Sequence, residues 1–258
     1  MCIRDRLGST LSLMDTKNYT YPELTNEINI NCGGLATGTA LYSDKVDFSK
    51  NTIVYEVKSK ALYEKVPFVL GMMEEIMYNT RFDDYKRLKE IIARIKSRLE
   101  ASLMGQGHSI AMLECCAQFS ESAYYSDILR GYKYYEFIKK LDEEFEQNKT
   151  QIVDKLNKLV GYIFNKDNVI VSLTADDEGY DCFVKALSAK SCNIKDEHYN
   201  TAVRSFIPVN VKTGYTSASQ VQYVARCGNF VKDGYKYTGA LKAVSYTHLR
   251  AHETVLDL

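Results

Sequence analysis

An α+β fold, an antiparallel sheet with helices packed on one of its faces, is what this sequence predicts. Three observations carry it. Ile53, Tyr55 and Val57 alternate with Val54, Glu56 and Lys58, the period-2 signature of a strand with one covered and one partly wet face. Apolar side chains recur at three and four through Leu62, Val66, Val69, Leu70, Met73, Ile76 and Met77, and again through Leu88, Ile91, Ile92, Ile95, Leu99 and Leu103, the period of one helical face. The order of signals is helix, hairpin, long helices, strand, helix, linker, then new strands, which suits helices layered on a largely antiparallel sheet.

Along the chain, Leu7 to Met14 reads as the tail of a helix. Thr20 with Glu23 forms a capping-box signature, Pro22 sits in the first turn, and Leu24 and Ile28 make a stripe, so a helix is expected over about 20–30. Cys32-Gly33-Gly34 breaks it, Leu35 to Ser43 is β-compatible, and Asp44 to Asn51 connects this strand to the one at 53–57. Pro67 either kinks the helix of 61–78 or places its start near 65. The helix through Leu88 and Leu103 is stopped by Gly105-Gln106-Gly107, and shorter helices are expected at 109–117, 122–129 and 132–141, with a longer one at 146–163. Val169-Ile170-Val171-Ser172-Leu173 is short and β-branched, which predicts a buried strand. Asp176 to Lys190 reads as helix, Ser191 to Arg204 as a polar linker, and Phe206 to Val211 and Val221 to Cys227 as strands.

Both ends look foreign to this pattern. Residues 1–6 and 244–258 resemble translated sequencing-adapter strings, which leaves 7–243 as the expected natural segment, cut at each end. The expected organisation is a first domain at 7–190, a linker at 191–204 and the start of a second, similar domain at 205–243. His248 and His252 stand four apart in the tail with Glu253 beside them, but an inverted zinc motif needs Glu where Ala251 stands.

Composition narrows the function classes. Of 258 residues, 45% are hydrophobic and 26% charged, and Lys+Arg 33 balance Asp+Glu 33, the profile of a soluble globular chain with no broad field for nucleic acid or anionic lipid. No apolar run approaches the roughly 20 residues of a membrane span, and no signal segment is evident, so a cytoplasmic location is expected. Cys2, Cys32, Cys115, Cys116, Cys182, Cys192 and Cys227 are odd in number without C-x-x-C, and read as reduced small hydrophobes.

Individual motifs favour structure over chemistry. Gly33, Gly34 and Gly38 lack the Lys-Ser/Thr of a phosphate loop and read as a helix cap and turn. His108 and Ser109 are adjacent, a poor geometry for a base and nucleophile, and read as the start of a helix. Outside the tail only His108 and His198 remain, so no metal site and no catalytic residue is expected. Tyr124, Tyr125, Tyr132, Tyr134 and Tyr135 read as packing aromatics, and the basic face from Lys86 to Arg98, interrupted by Glu90 and Glu100, as a solvated surface.

Five stretches in order carry a family likeness. They are Leu13 to Ile30 with Gly33-Gly34; Ser97 to Ser102 with Gly107-His108-Ser109; Gly131 to Phe137; Asn168 to Thr174; and Gln222 to Ala225 with Gly228 and Tyr237 to Leu241. Together they resemble the presequence protease branch of the pitrilysin/insulinase superfamily, over nearly all of 7–243. The resemblance implies a domain like that of the mitochondrial processing peptidase, the third of four, and a parent zinc endopeptidase that degrades unstructured peptides in a closed chamber. It implies that zinc ligands lie in an N-terminal half outside this segment, which would be the partner of the wall formed here. The family's Arg/Tyr substrate stretch, R-x-x-G-G-A-Y-G-like, does not occur, so no substrate-binding residue can be assigned. Two other readings stay open: a non-catalytic structural or partner subunit of the same fold, and a free-standing helical interaction domain.

Overall fold

The computed structural model describes residues 11–47, 50–189, 206–216, 221–229, 234–236 and 238. The expected linker at 191–204, the two ends expected to be foreign, His198 and most of 235–243 lie outside these residues.

The described chain is α+β. Helix α1 spans Tyr21–Asn31 and is followed by β1 (Leu35–Ser43) and β2 (Asn51–Ser59). Helices α2 (Val66–Tyr78), α3 (Tyr85–Gly105), α4 (Gly107–Ala117), α5 (Glu121–Arg130), α6 (Tyr132–Glu143), α7 (Phe145–Ile163) and α8 (Asp177–Ala189) come next. The helix starts follow the sequence chemistry. Glu23 Oε2 reaches back to the Thr20 N–H at 2.9 Å, Asp84 Oδ1 accepts from Arg87 N at 2.9 Å, and Ser120 Oγ accepts from Ala123 N at 3.4 Å. Pro67 stands in the first turn of α2, where its missing N–H costs nothing, so the helix starts beside it and is not kinked by it. Gly34, at φ +116°, supplies the backbone turn into β1 that a side chain would disfavour.

The two strands pair antiparallel from Leu35↔Ser59 to Ser43↔Asn51. Leu35, Tyr55 and Val57 face the core, where Tyr55 meets Phe164 edge-on with ring centroids 5.5 Å apart. Leu11, Met14, Leu24, Ile76, Leu88, Ile92, Ile138 and Leu156 are fully buried in one contiguous cluster that joins α1, α2, α3, α6 and α7. Leu11 to Met14 belongs to that core as a turn, so the helix tail expected there does not reach into the described part.

Three expected strands take another form. Val169 to Leu173 forms no strand and Ile170 is 87% exposed, so it is not a buried strand among the described residues. A short β-branched run becomes a strand only when a neighbouring strand accepts its backbone hydrogen bonds, and the described sheet consists of β1 and β2 alone. Phe206 to Val211 and Val221 to Cys227 likewise form no strand among the described residues. In the first of these, Pro208 has no N–H to give, and the Val209 and Val211 N–H groups go to Gln118 at the end of α4, at 2.8 Å and 2.9 Å.

A knot of polar side chains ties the leading segment to α2. Glu75 accepts from Asn18 N at 3.0 Å, Asn18 Nδ2 at 2.9 Å and Asn79 Nδ2 at 2.7 Å. Burial pushes its carboxyl up, but donors from Thr16, Asn79 and Asn18 outweigh that and hold it below the usual carboxylate range.

Candidate functional site

The second buried carboxylate cluster lies where α4, α5 and α6 meet. Glu114 projects from α4 and Asp127 from α5, at 7% and 1% exposure. Gly131 alone joins α5 to α6, ending one helix and starting the next. A Cβ there would lie 2.8 Å from the Asp127 Cα and strike its Oδ1, so only glycine permits so short a joint. Because glycine has no side chain to cap α6, Asp127 Oδ1 takes that role and accepts from Lys133 N at 3.4 Å.

The same turn brings the Lys133 ammonium to 2.8 Å from Asp127 Oδ2 and 3.6 Å from Glu114 Oε2. Apart from that cation, these two oxygens are buried without a hydrogen-bond donor. Burial first, then the neighbouring Asp127, pushes the Glu114 carboxyl above its ordinary range, against the pull of Lys133 and Tyr215. Burial draws the Lys133 ammonium down, but Asp127 and Glu114 together hold it higher than an ordinary lysine.

Across this junction runs the segment 206–216. Phe206 packs on Tyr124 at 5.5 Å between centroids, Tyr215 packs on Tyr132 at 3.9 Å, and the Tyr215 hydroxyl donates to Glu114 Oε1 at 3.3 Å. Burial, followed by the Glu114 charge, pushes the Tyr215 hydroxyl up. Between these anchors Ile207, Val209 and Val211 stay exposed, so the segment is held at its ends and by its backbone and is not absorbed into the core. A second piece of chain lies along α4, with the Tyr223 ring centroid 6.0 Å from that of His108 and Cys227 Sγ 3.3 Å from Cys116 Sγ. Burial raises the thiols of Cys115 and Cys227, which favours their protonated form.

The residues singled out from sequence fall into two sets. Tyr134 is core, as expected, and His108 sits in the first turn of α4. Tyr124 and Tyr132 do more than pack within the helices, since they form the platforms for Phe206 and Tyr215. The basic face of α3 is partly neutralised by Lys89–Glu146 at 2.7 Å and Lys96–Asp142 at 2.8 Å. Glu114, Gln118, Asp127, Lys133 and Tyr215 escaped sequence reading. One signal was available: Glu114 interrupts the apolar run from Ile110 to Ala117, where a charge needs a buried partner.

Among the described residues, no group of three or more His, Cys, Asp or Glu side chains is placed to hold a metal ion, and no helix is long and apolar enough to cross a membrane. The Glu114–Asp127 pair already has the Lys133 ammonium in its midst and the Tyr215 hydroxyl against it, which leaves a poor site for a divalent cation.

Comparison with known proteins adds the family context. A sequence profile for the domain associated with metallopeptidase family sixteen, subfamily C, matches residues 6–141, a span that includes Glu114, Asp127 and Lys133. The chain is 33% identical over 240 residues to Protein HypA of Clostridium perfringens, covering 91% of this chain and 24% of that protein. It is 29% identical over 161 residues to the mitochondrial presequence protease of Drosophila melanogaster, covering 62% and 15%. Over 236 residues it is 23% identical to presequence protease 1, chloroplastic/mitochondrial, of Arabidopsis thaliana, covering 90% and 22%. The chain therefore spans about a quarter or less of the length of these relatives.

Proposed function

This chain belongs to the peptidase-associated family of metallopeptidase family sixteen, subfamily C, and from that premise we propose that it is part of a zinc-dependent metalloendopeptidase that degrades unstructured oligopeptides. Its part is the chamber wall facing the half that binds the metal. The observation that carries this reading is the family match over 6–141, joined to relatives named presequence proteases that are several times longer than this chain.

In this reading 7–190 is the third of four similar domains, 191–204 a linker and 205–243 the start of the fourth, while 1–6 and 244–258 are foreign. The partners are peptide substrates and the N-terminal half of the parent, and the location is cytoplasmic, although several relatives carry mitochondrial or chloroplastic names.

The described residues do not fit a zinc site, so no bond-breaking step is assigned to them. Zinc, held elsewhere in the parent, would supply a polarised water for attack on the peptide carbonyl. What these residues offer is a rigid helical face with aromatic platforms and backbone-directed acceptors, features that hold an extended chain without regard to most of its side chains.

The test is hydrolysis of an internally quenched, unstructured peptide by the full-length parent and by this chain. The parent is expected to cleave it and to lose activity with a zinc chelator, while this chain alone neither cleaves nor binds zinc at one ion per molecule. Zinc at unit stoichiometry in this chain, or an inert parent lacking zinc ligands, overturns the proposal. The second result would favour a non-catalytic subunit.

A further inference from the structure

We infer that the face formed by α4, α5 and α6 is a binding site for an extended peptide bearing two aromatic side chains nine residues apart, and that residues 206–216 occupy it in cis. The inference rests on the peptidase reading only for the origin of such peptides. The site itself stands on geometry.

Four groups build it. Tyr124 and Tyr132 are aromatic platforms under Phe206 and Tyr215. Gln118 receives two backbone donors of the extended chain, the Val209 N–H on its carbonyl oxygen at 2.8 Å and the Val211 N–H on its side-chain oxygen at 2.9 Å. Glu114 accepts the terminal hydroxyl of Tyr215 at 3.3 Å. Recognition through alternate backbone N–H groups with aromatic anchors at the ends is the pattern by which proteins read extended peptides.

The occupant behaves as a ligand and not as a core strand. Ile207 is 75% exposed, and Val209 and Val211 are more than half exposed, so the middle of the segment contributes little buried apolar surface. Pro208 fixes its own φ and biases Ile207 toward an extended conformation, which lowers the ordering cost of docking. A tethered segment competes at an effective concentration on the order of millimolar, so a peptide in trans must displace it.

The experiment is a fluorescence anisotropy titration of a labelled peptide with the sequence of residues 206–216. It compares the unaltered chain, the double variant Phe206→Ala/Tyr215→Ala, and that variant with Tyr124→Ala and Tyr132→Ala added. Weakening the cis segment is expected to tighten trans binding at least tenfold, and removing the platforms to abolish the gain. Equal affinity for the first two proteins, or equal binding of a scrambled peptide, overturns the inference. Should the variants misfold, hydrogen exchange on the unaltered chain decides. Saturating unlabelled peptide is expected to speed exchange at Val209 and Val211 and to leave the β1–β2 amides unchanged, and no change at Val209 and Val211 overturns the inference. No proteolysis is measured, so failure here leaves the peptidase reading intact, and an inert parent would leave this site standing.

Discussion

Glu75 and Glu114 are buried to the same degree, at 6% and 7% exposure, yet the protein holds their carboxyls in opposite directions. Around Glu75 the neighbours are donors: the Asn18 backbone, two carboxamides and Thr16. Around Glu114 the strongest influence after burial is another carboxylate, Asp127, and one lysine serves both. Burial alone does not decide the ionisation of a side chain, because the count of donors against like charges overrides it. The first arrangement is a structural tie. The second is a site where two carboxylates, one lysine and a docked hydroxyl meet.

The comparison is broken most severely by Glu75→Ala. It removes the acceptor of three charge-assisted hydrogen bonds that tie exposed Asn18 and half-buried Asn79 to α2, and should cost about 3 kcal/mol, read from urea denaturation. Next comes Gly131→Ala, whose Cβ meets Asp127 backbone; a loss of about 2 kcal/mol is expected, with Lys133 displaced from Asp127. Glu114→Gln sharpens the contrast. It removes the like-charge partner of Asp127 while keeping an oxygen for Tyr215, and should stabilise the protein by about 1 kcal/mol above neutral pH. Lys89→Ala, at an exposed pair with Glu146, should shift stability by less than about 0.5 kcal/mol in the same assay.

The pH profile separates the two regions by sign. Glu75 has a lowered folded pKa, so its stabilisation is complete above the ordinary carboxylate range and is lost as pH falls through the folded value. Glu114 has a raised one, so its contribution is complete below that range and is lost as pH rises through the folded value. Hydrogen exchange at low pH should loosen Asn18 while the α4–α5–α6 junction stays closed. In Glu114→Gln the loss with rising pH should vanish. A profile of the same sign in both regions contradicts the assignment.

The helices were legible because each repeats a 3.6-residue stripe over two or more turns, and Pro67 at its start even marked the boundary of α2. The hairpin was legible from its alternation. Val169 to Leu173 and Phe206 to Val211 were not, because β-branched composition specifies an extended backbone and says nothing of what accepts its hydrogen bonds. At 206–211 the acceptor is a glutamine at a helix end. The candidate site was hidden for a related reason. Its members are single polar residues at 114, 118, 127, 133 and 215, with no common period, and only the one-residue joint at Gly131 and the returning chain bring them together.

That joint sets how the molecule can change over evolutionary time. With α5 ending and α6 beginning on one residue, there is no slack to absorb an insertion or deletion. Each added residue would turn the following helix by about 100° about its axis and swing Lys133 away from the carboxylates, even with every helix intact. Length variation among homologues should therefore collect in the β1–β2 connection and be purged at position 131.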